Sequence, residues 1–66
     1  MTIILNGEPT DVVPGSSVAQ LLVQLNLHPD RLAVIVNGLV VRKANHDETT
    51  LVDHDTVDII TMVGGG

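Results

Sequence analysis

The sequence predicts an α+β fold in which one helix packs on one face of a four- to five-stranded sheet. Two β-prone segments end in Asn-Gly, the strongest short-range signal for a β-hairpin, and these dipeptides are Asn6-Gly7 and Asn37-Gly38. Between them, apolar residues recur at helical spacing. The predicted element order is ββαββ, which is typical of an α+β domain.

Composition favours one small compact domain. The chain has 66 residues, of which 44% are hydrophobic and 17% charged, and it contains no cysteine for disulfides or thiolate metal sites. Its net charge of -5 and its lack of aromatic residues argue against a nucleic-acid partner and favour a basic protein surface. No apolar run could span a membrane and no signal peptide is visible, so we expect a cytoplasmic protein.

The first hairpin is predicted from its strands as well as its turn. Residues 2–5 are β-prone, and a second strand is expected over residues 10–13. Pro9 has no backbone N–H to donate, so we expect this second strand at an edge of the sheet. Pro14-Gly15 then ends it.

A short helix is predicted over residues 17–25. Ser17 suits its N-terminal cap, and Gln20 stands at the reciprocal position of a capping box. Asn26 suits a left-handed C-terminal cap, and Pro29 prevents continuation. The apolar stripe that should face the core consists of Val18, Leu21, Leu22 and Leu25.

The second half of the chain predicts further strands. Residues 32–36 form a continuous apolar run, typical of a strand with a neighbour on each side, and residues 39–41 follow the second Asn-Gly turn. Residues 42–50 are polar and should form a surface loop. Leu51 should be buried beneath that loop.

The last strand is predicted over residues 56–62, after a turn at residues 53–55. Alternation with a period of two directs Val57 and Ile59 toward the core. The same alternation leaves apolar side chains on the opposite face of the sheet, where they could form an interaction patch. These residues are Ile4, Ile60 and Met62.

Three glycines follow Val63, and three consecutive glycines hold neither a helix nor a strand. One interpretation is a disordered remnant or linker. The other is that the carboxylate of Gly66 is the working group, on a chain thin enough to enter another protein's active site. The predicted organisation is a folded domain over 1–62 and an extended, flexible tail over 63–66.

Other chemical constellations are weak. Ser17 could be the nucleophile of a hydrolytic triad, but its role as a helix cap explains it fully. His28, His46 and His54 lie in three different loops without the spacing of metal ligands, so we interpret them as surface histidines. The carboxylates of the turn at 53–55 could recruit a cation, yet aspartate is common in turns for its own sake.

Taken together, these features resemble the ThiS family of sulfur carrier proteins in thiamine biosynthesis. The likeness covers the whole chain and rests on the element order, both Asn-Gly turns, the capped helix, Arg42 after the fourth strand, and the closing Thr61-Met62-Val63-Gly64-Gly65-Gly66. The fold and the Gly-Gly end are shared with ubiquitin and with the small subunit of molybdopterin synthase. The family commonly has Gly-Asp before the last strand, where this chain has His54-Asp55.

The resemblance implies a ubiquitin-like β-grasp fold with a mixed sheet, in which the first and last strands pair in parallel at the centre. It also implies a carrier that is not itself an enzyme and binds neither a cofactor nor a metal. An adenylyltransferase of the E1-like (ThiF) type would use ATP and Mg²⁺ to adenylate Gly66. A sulfur donor such as a cysteine desulfurase would then yield a thiocarboxylate for a ThiG-like thiazole synthase.

The same resemblance assigns roles to particular residues. Tail recognition would fall to Val63, Gly64 and Gly65, because glycines pass a narrow channel and adopt whatever φ it demands. Docking on the activating enzyme is assigned to Ile4, Ile60 and Met62 for a different reason, namely that alternation leaves these apolar side chains on the outer face.

Alternative functions remain open from the residues alone. The carrier could serve another pathway, such as molybdopterin synthesis, or act as a ubiquitin-like protein modifier. The chain could also be a non-catalytic β-grasp interaction module. A free-standing enzyme has no nucleophile or acid–base pair in the sequence to recommend it.

Overall fold

The computed structural model describes residues 1–61, which form five strands and one α-helix. These are β1 (Thr2–Leu5), β2 (Glu8–Asp11), α1 (Val18–Gln24), β3 (Leu32–Val36), β4 (Leu39–Val41) and β5 (Thr56–Thr61). Two single 3₁₀ turns, Pro29–Arg31 and Lys43–Asn45, precede β3 and follow β4. The sheet was predicted to have four or five strands. It has five, because the three-residue β4 is one of them.

The sheet is mixed, and its strand order is β2-β1-β5-β3-β4. β1 and β5 pair in parallel, whereas the other neighbours pair antiparallel. The first and last strands therefore meet at the sheet centre, as the β-grasp architecture requires, and α1 covers one face. Within residues 1–61 there is no helix with the length and hydropathy needed to cross a membrane.

Both Asn-Gly dipeptides form the predicted tight turns, because all four residues have positive φ. The φ angles are 49° and 85° at Asn6 and Gly7, and 50° and 84° at Asn37 and Gly38. These angles match a type I′ turn, whose twist suits a two-residue hairpin.

The predicted start of β2 at residue 10 was wrong by two residues, and the turn explains why. A two-residue connection places Glu8 directly opposite Leu5, so β2 begins immediately after Gly7. Pro9 lies within β2, opposite Ile4. Because β2 is an edge strand, the expected position of Pro9 is confirmed.

Helix α1 begins with the predicted capping box. The backbone N–H of Gln20 donates to the Ser17 Oγ at 3.1 Å, and the backbone N–H of Ser17 donates to the Gln20 Oε1 at 2.8 Å. Asn26 follows the helix with φ of 61°, so the predicted left-handed residue is present. The helix contributes three of its four stripe residues to the buried core, and Leu25 packs against them half-buried.

The core lies between α1 and the inner face of the sheet. Leu51 is 1% exposed, which confirms that it is buried although no strand or helix contains it. The complete set of buried apolar side chains among the described residues is Ile3, Val12, Val18, Leu21, Leu22, Val34, Leu51 and Val57.

One histidine was misassigned: His46 is 5% exposed, so the prediction of a surface histidine was wrong at this position. Its Nε2 lies 3.2 Å from the carbonyl oxygen of Val41, and its own carbonyl accepts from the N–H of Ala19 at 3.1 Å. These contacts hold the polar loop against α1. His28 and His54 are exposed as expected.

The turn before β5 is fixed by buried polar contacts. Asp55 is 8% exposed, and its two carboxylate oxygens accept from the Asn37 Nδ2 and from the Val52 N–H, each at 2.9 Å. The Asn37 Oδ1 accepts in turn from the N–H of Thr56 at 2.9 Å. The Asp55 carboxylate thus already has a donor for each oxygen, which supports a structural role for it.

His54→Gly is expected to stabilise the domain. His54 has φ of 70°, a left-handed conformation that is unfavourable for a residue with a Cβ and free of that penalty for glycine. The expected gain is about 0.5 to 1 kcal/mol in the free energy of unfolding, after the greater entropy of glycine in the unfolded chain is counted. Urea unfolding with an unchanged m-value would measure it.

His28→Gly is the matched control for this substitution. His28 is also exposed, but its φ of -91° carries no left-handed strain, so glycine should bring no gain there. A His54→Gly variant that unfolds at lower urea concentration than the parent would contradict the explanation.

Candidate functional site

The candidate site is centred on β5, because this strand leads into the tail. Leu32 at the start of β3 pairs with Thr61, the last described residue of β5. The predicted tail residues Val63, Gly64, Gly65 and Gly66, the docking residue Met62, and the predicted boundary between 62 and 63 lie outside the described residues.

β5 is paired with a neighbouring strand over its whole described length. It has β1 on one side and β3 on the other. Both hairpin asparagines add side-chain contacts: the Asn6 Oδ1 accepts from the N–H of Ile59 at 2.9 Å, and the Asn37 Oδ1 accepts from that of Thr56. β5 therefore has neighbours on both edges at its start, whereas Ile60 and Thr61 pair with β3 alone, which anchors the strand to the sheet through Thr61.

The outer face of the sheet carries the other predicted site residues. Ile4 and Ile60 lie on this face, as expected from alternation, with Ile4 half-buried and Ile60 50% exposed. They are not close neighbours, because Ile4 pairs with Thr56 whereas Ile60 lies four residues further along β5, about 13 Å away at the rise of a strand. Ile60 is therefore the more accessible of the two and the nearer to the tail.

The structure adds Ile35 and Val40 to this face. They are directly paired across β3 and β4, Ile35 half-buried and Val40 69% exposed. Ile60 pairs with Ala33, two residues before Ile35 on the same strand and the same face. The apolar part of the outer face thus extends from Ile60 toward β4.

A signal for Ile35 and Val40 was present in the sequence. A two-residue turn at Asn37-Gly38 fixes the register of its hairpin, which places Val40 opposite Ile35. The continuous apolar run over β3 concealed which of its residues point outward, because a run without alternation gives no direction by itself.

The electrostatics near the start of β3 are dominated by one exposed ion pair. The Lys43 ammonium contacts the Asp30 carboxylate, and its hydrogen bond and charge hold the pKa of Asp30 below the usual range of an aspartate. Both side chains are exposed, so this pair adds little to stability.

Two surface depressions flank helix α1, and neither suggests a catalytic centre. The larger, of about 390 Å³, has Val13, Pro14 and Val23 in its wall and no charged or imidazole side chain. The smaller, of about 250 Å³, includes Lys43 and His46, which are already engaged with Asp30 and with the Val41 carbonyl. Over residues 1–61 no cluster of three metal-ligating side chains occurs.

Known proteins are similar to this chain in fold and in sequence. The crystal structure of a thiamine biosynthesis protein (ThiS) from Geobacter metallireducens matches with a TM-score of 0.87 and 32% identity over 100% of both chains. An NMR structure of a thiamine biosynthesis protein from the same organism matches with a TM-score of 0.82 and 32% identity, over 100% of this chain and 88% of the other.

Sequence relatives point the same way. A thiazole synthase of Magnetococcus marinus is 33% identical over 66 residues, which are 100% of this chain but 20% of the synthase. An uncharacterized protein of Porphyra purpurea is 35% identical over 100% of this chain and 93% of its own length. The sequence profile of the ThiS family matches residues 3–66. A family match over nearly the whole sequence, together with the shared fold, establishes that the chain belongs to the ThiS family.

Proposed function

We propose that this protein is a sulfur carrier of thiamine biosynthesis, whose Gly66 carboxylate is adenylated and then converted to a thiocarboxylate. The observation that carries the proposal is the ThiS family match, which continues through residue 66 and so includes the glycines. The thiocarboxylate would supply the sulfur of the thiazole ring. In this role the chain is a substrate of other cytoplasmic enzymes rather than a catalyst.

The chemistry follows from the ionisation of an α-carboxyl group. Such a group titrates near pH ~3.5, so at neutral pH it is an anion and a poor electrophile. A carboxylate oxygen attacks the α-phosphorus of ATP, pyrophosphate leaves, and an acyl-adenylate forms. The terminal sulfur of a persulfide on the donor then attacks the acyl carbon and displaces AMP, which gives an acyl disulfide. A second thiol attacks the donor's sulfur, forms a disulfide with it, and releases the thiocarboxylate.

The partners follow from these steps. Adenylation requires an adenylyltransferase, and the likeness to the ThiS family implies one of the E1-like (ThiF) type, which would bind the ATP and Mg²⁺. The sulfur must come from a donor such as a cysteine desulfurase, because this chain contains no cysteine. The last partner is a ThiG-like thiazole synthase, and the segment of the Magnetococcus marinus thiazole synthase that matches this chain supports that link.

The partner enzymes would dock on the outer sheet face. Ile60 is the accessible apolar residue of β5 beside the tail, and Ile35 and Val40 extend the surface. Ile4 and Met62 complete the proposed surface. Ile4 lies beside the start of β5, at the end of the strand away from the tail. An enzyme that grips this face would have β5 as a fixed guide for the tail.

Intact-mass measurement tests the proposed function. The protein is co-expressed with the adenylyltransferase and the cysteine desulfurase, and its mass should rise by the difference between one sulfur and one oxygen. Omission of the adenylyltransferase is the control and should leave the mass unchanged. An unmodified mass with all components active would refute the proposal. A second assay tests whether the thiocarboxylate delivers its sulfur to thiazole synthase, which would distinguish a thiamine carrier from a molybdopterin-type carrier.

Ile60→Asp is expected to weaken binding to the adenylyltransferase roughly tenfold to a hundredfold, the effect of losing an interface hot spot. A carboxylate on the apolar face would have to be desolvated against the partner. Because the Ile60 side chain is half exposed and points away from the core, the thermal midpoint should change little. Isothermal titration calorimetry measures the affinity.

Val23→Asp provides the matched control for Ile60→Asp. Val23 is 78% exposed and lies on α1, on the opposite side of the sheet, so the same change in chemistry should leave the affinity unchanged. Equal affinities for Ile60→Asp and the parent, with the fold preserved, would remove Ile60 from the docking surface.

A further inference from the structure

The basic residues of this acidic chain are concentrated at one end of the sheet. The whole sequence has three Lys and Arg residues against eight Asp and Glu residues. The three are Arg31, Arg42 and Lys43, and we call them the basic rim. Within residues 1–61, Asp30 is the one acid in an ion pair with the rim, and the sequence has no other Lys or Arg to offset the remaining acids.

The pairing of the strands places the rim beside the start of the tail. Arg31 immediately precedes Leu32, which pairs with Thr61 at the end of β5. Arg42 follows β4 with extended backbone angles, φ -67° and ψ 150°. Alternation after Val40 therefore continues through Arg42, which puts it on the outer face of the sheet, on the same side as Ile60.

Two of the three positive charges are available to a partner. Lys43 contacts Asp30, whereas Arg31 and Arg42 are exposed and take part in no ion pair within residues 1–61. Arginine presents several N–H donors in a planar fork that suits carboxylates. The rim is thus a positive pole on a negative molecule.

We propose that the basic rim docks on an acidic protein surface of the adenylyltransferase, around the entrance that admits the tail. This inference rests on the proposed function and specifies the chemistry of the partner's surface. The positive pole would turn the tail toward that entrance during approach, while the acidic remainder of the molecule would be repelled. The net charge of -5 favoured a partner with a basic surface. The end of the molecule that would dock is positively charged, so the partner's surface there should be acidic.

The apolar surface and the rim are continuous, which argues for one interface. Ala33 pairs with Ile60 on one side, and on the other side β4 ends at Val41 opposite Val34, so Arg42 comes at the level of Ala33. An interface with an apolar centre and a charged margin has the usual composition of protein–protein contacts.

The test compares two double variants that lower the net charge by the same amount at opposite ends. R31Q/R42Q removes the two positive charges of the rim that take part in no ion pair within residues 1–61 and leaves the Lys43–Asp30 pair in place. V13E/V52E adds two acids at the other end, where Val13 and Val52 are 67% and 59% exposed. The readout is ATP–pyrophosphate exchange by the purified adenylyltransferase as a function of carrier concentration and of ionic strength.

We expect R31Q/R42Q to raise the KM for the carrier about tenfold at low salt with kcat within about twofold, because rim charges act mainly on association. The salt dependence of kcat/KM should flatten. V13E/V52E should leave KM near the parental value. R31K/R42K keeps both positive charges, so its KM should lie much closer to the parental value than that of R31Q/R42Q.

Contrary outcomes are distinct. A parental KM for R31Q/R42Q, or an equal rise in both double variants, would overturn the docking proposal while the proposed function stands. Failure of the unaltered protein to support exchange at all would overturn both.

Discussion

Gly65→Val is expected to abolish adenylation of Gly66 while the domain remains folded. Valine adds a branched side chain directly beside the reacting carboxylate and restricts φ to values that glycine need not adopt. If the tail must pass a narrow channel in the adenylyltransferase, the valine side chain would displace the Gly66 carboxylate from its reactive position beside ATP. A displacement of about 1 Å in a reacting group can cost about a hundredfold in rate, so exchange should fall by at least that factor.

The measurement is ATP–pyrophosphate exchange with the adenylyltransferase, alongside a thermal melt. Thr61→Val is the matched control, because Thr61 is exposed at the end of β5 and valine keeps its branched shape in a strand. The control should retain both activity and stability. Normal exchange by Gly65→Val would show that the tail does not pass a channel fitted to glycine.

Local signals in the sequence were sufficient to predict most of the fold. The Asn-Gly turns and the capping box depend on neighbours within three residues, so their geometry is set before any tertiary contact forms. Pro9 has no backbone N–H to donate to a neighbouring strand, so its strand was correctly predicted to lie at an edge of the sheet. The parallel pairing of β1 with β5 is different: it joins Ile4 to Thr56, and the family resemblance predicted it, not any local pattern.

Apart from the start of β2, which the adjacent turn sets, the failures concern contacts between distant residues. His46 looked like part of a polar loop, yet it is buried because its carbonyl accepts from Ala19 and its ring meets the Val41 carbonyl. Asp55 looked like a turn residue, yet its partner Asn37 lies in another hairpin. His46 and Ala19, like Asp55 and Asn37, are too far apart for one short window of sequence to contain both, so only the assembled fold reveals these two contacts.

The candidate site divides in the same way. The outward direction of Ile4 and Ile60 follows from alternation, which is a local rule. The position of Ile35 and Val40 beside them depends on register across two hairpins. The grouping of Arg31 and Arg42 at the tail end requires the order of the strands, because β3 must lie next to β5 and β4 next to β3.

His54 illustrates how structure can explain a departure from a family pattern. The resemblance to the ThiS family implies glycine at this position, and the φ of 70° at His54 is a left-handed backbone conformation that glycine adopts without cost. The buried Asp55 that follows has a donor for each carboxylate oxygen, so the turn keeps its geometry although the glycine is absent. Histidine in place of glycine at position 54 should therefore lower the free energy of unfolding and leave the proposed chemistry at Gly66 unchanged.

Addition of one alanine after Gly66 is expected to prevent thiocarboxylate formation without unfolding the protein. The added residue turns the Gly66 carboxylate into an amide, which cannot attack ATP, and moves the free carboxylate outward by one residue, about 3.3 Å. Reacting atoms must approach within about 3.5 Å, so this shift removes the new carboxylate from the reactive position. Intact mass after co-expression should show no sulfur.

The extended protein also separates docking from chemistry. Its sheet, its outer face and its basic rim are unchanged, so it should still bind the adenylyltransferase and compete with the unaltered carrier. A competitive inhibitor that accepts no sulfur is the result expected if the folded domain supplies binding and the Gly66 carboxylate supplies reactivity. Sulfur on the extended protein would show that the enzyme does not measure the length of the tail, and would contradict the assignment of Gly66.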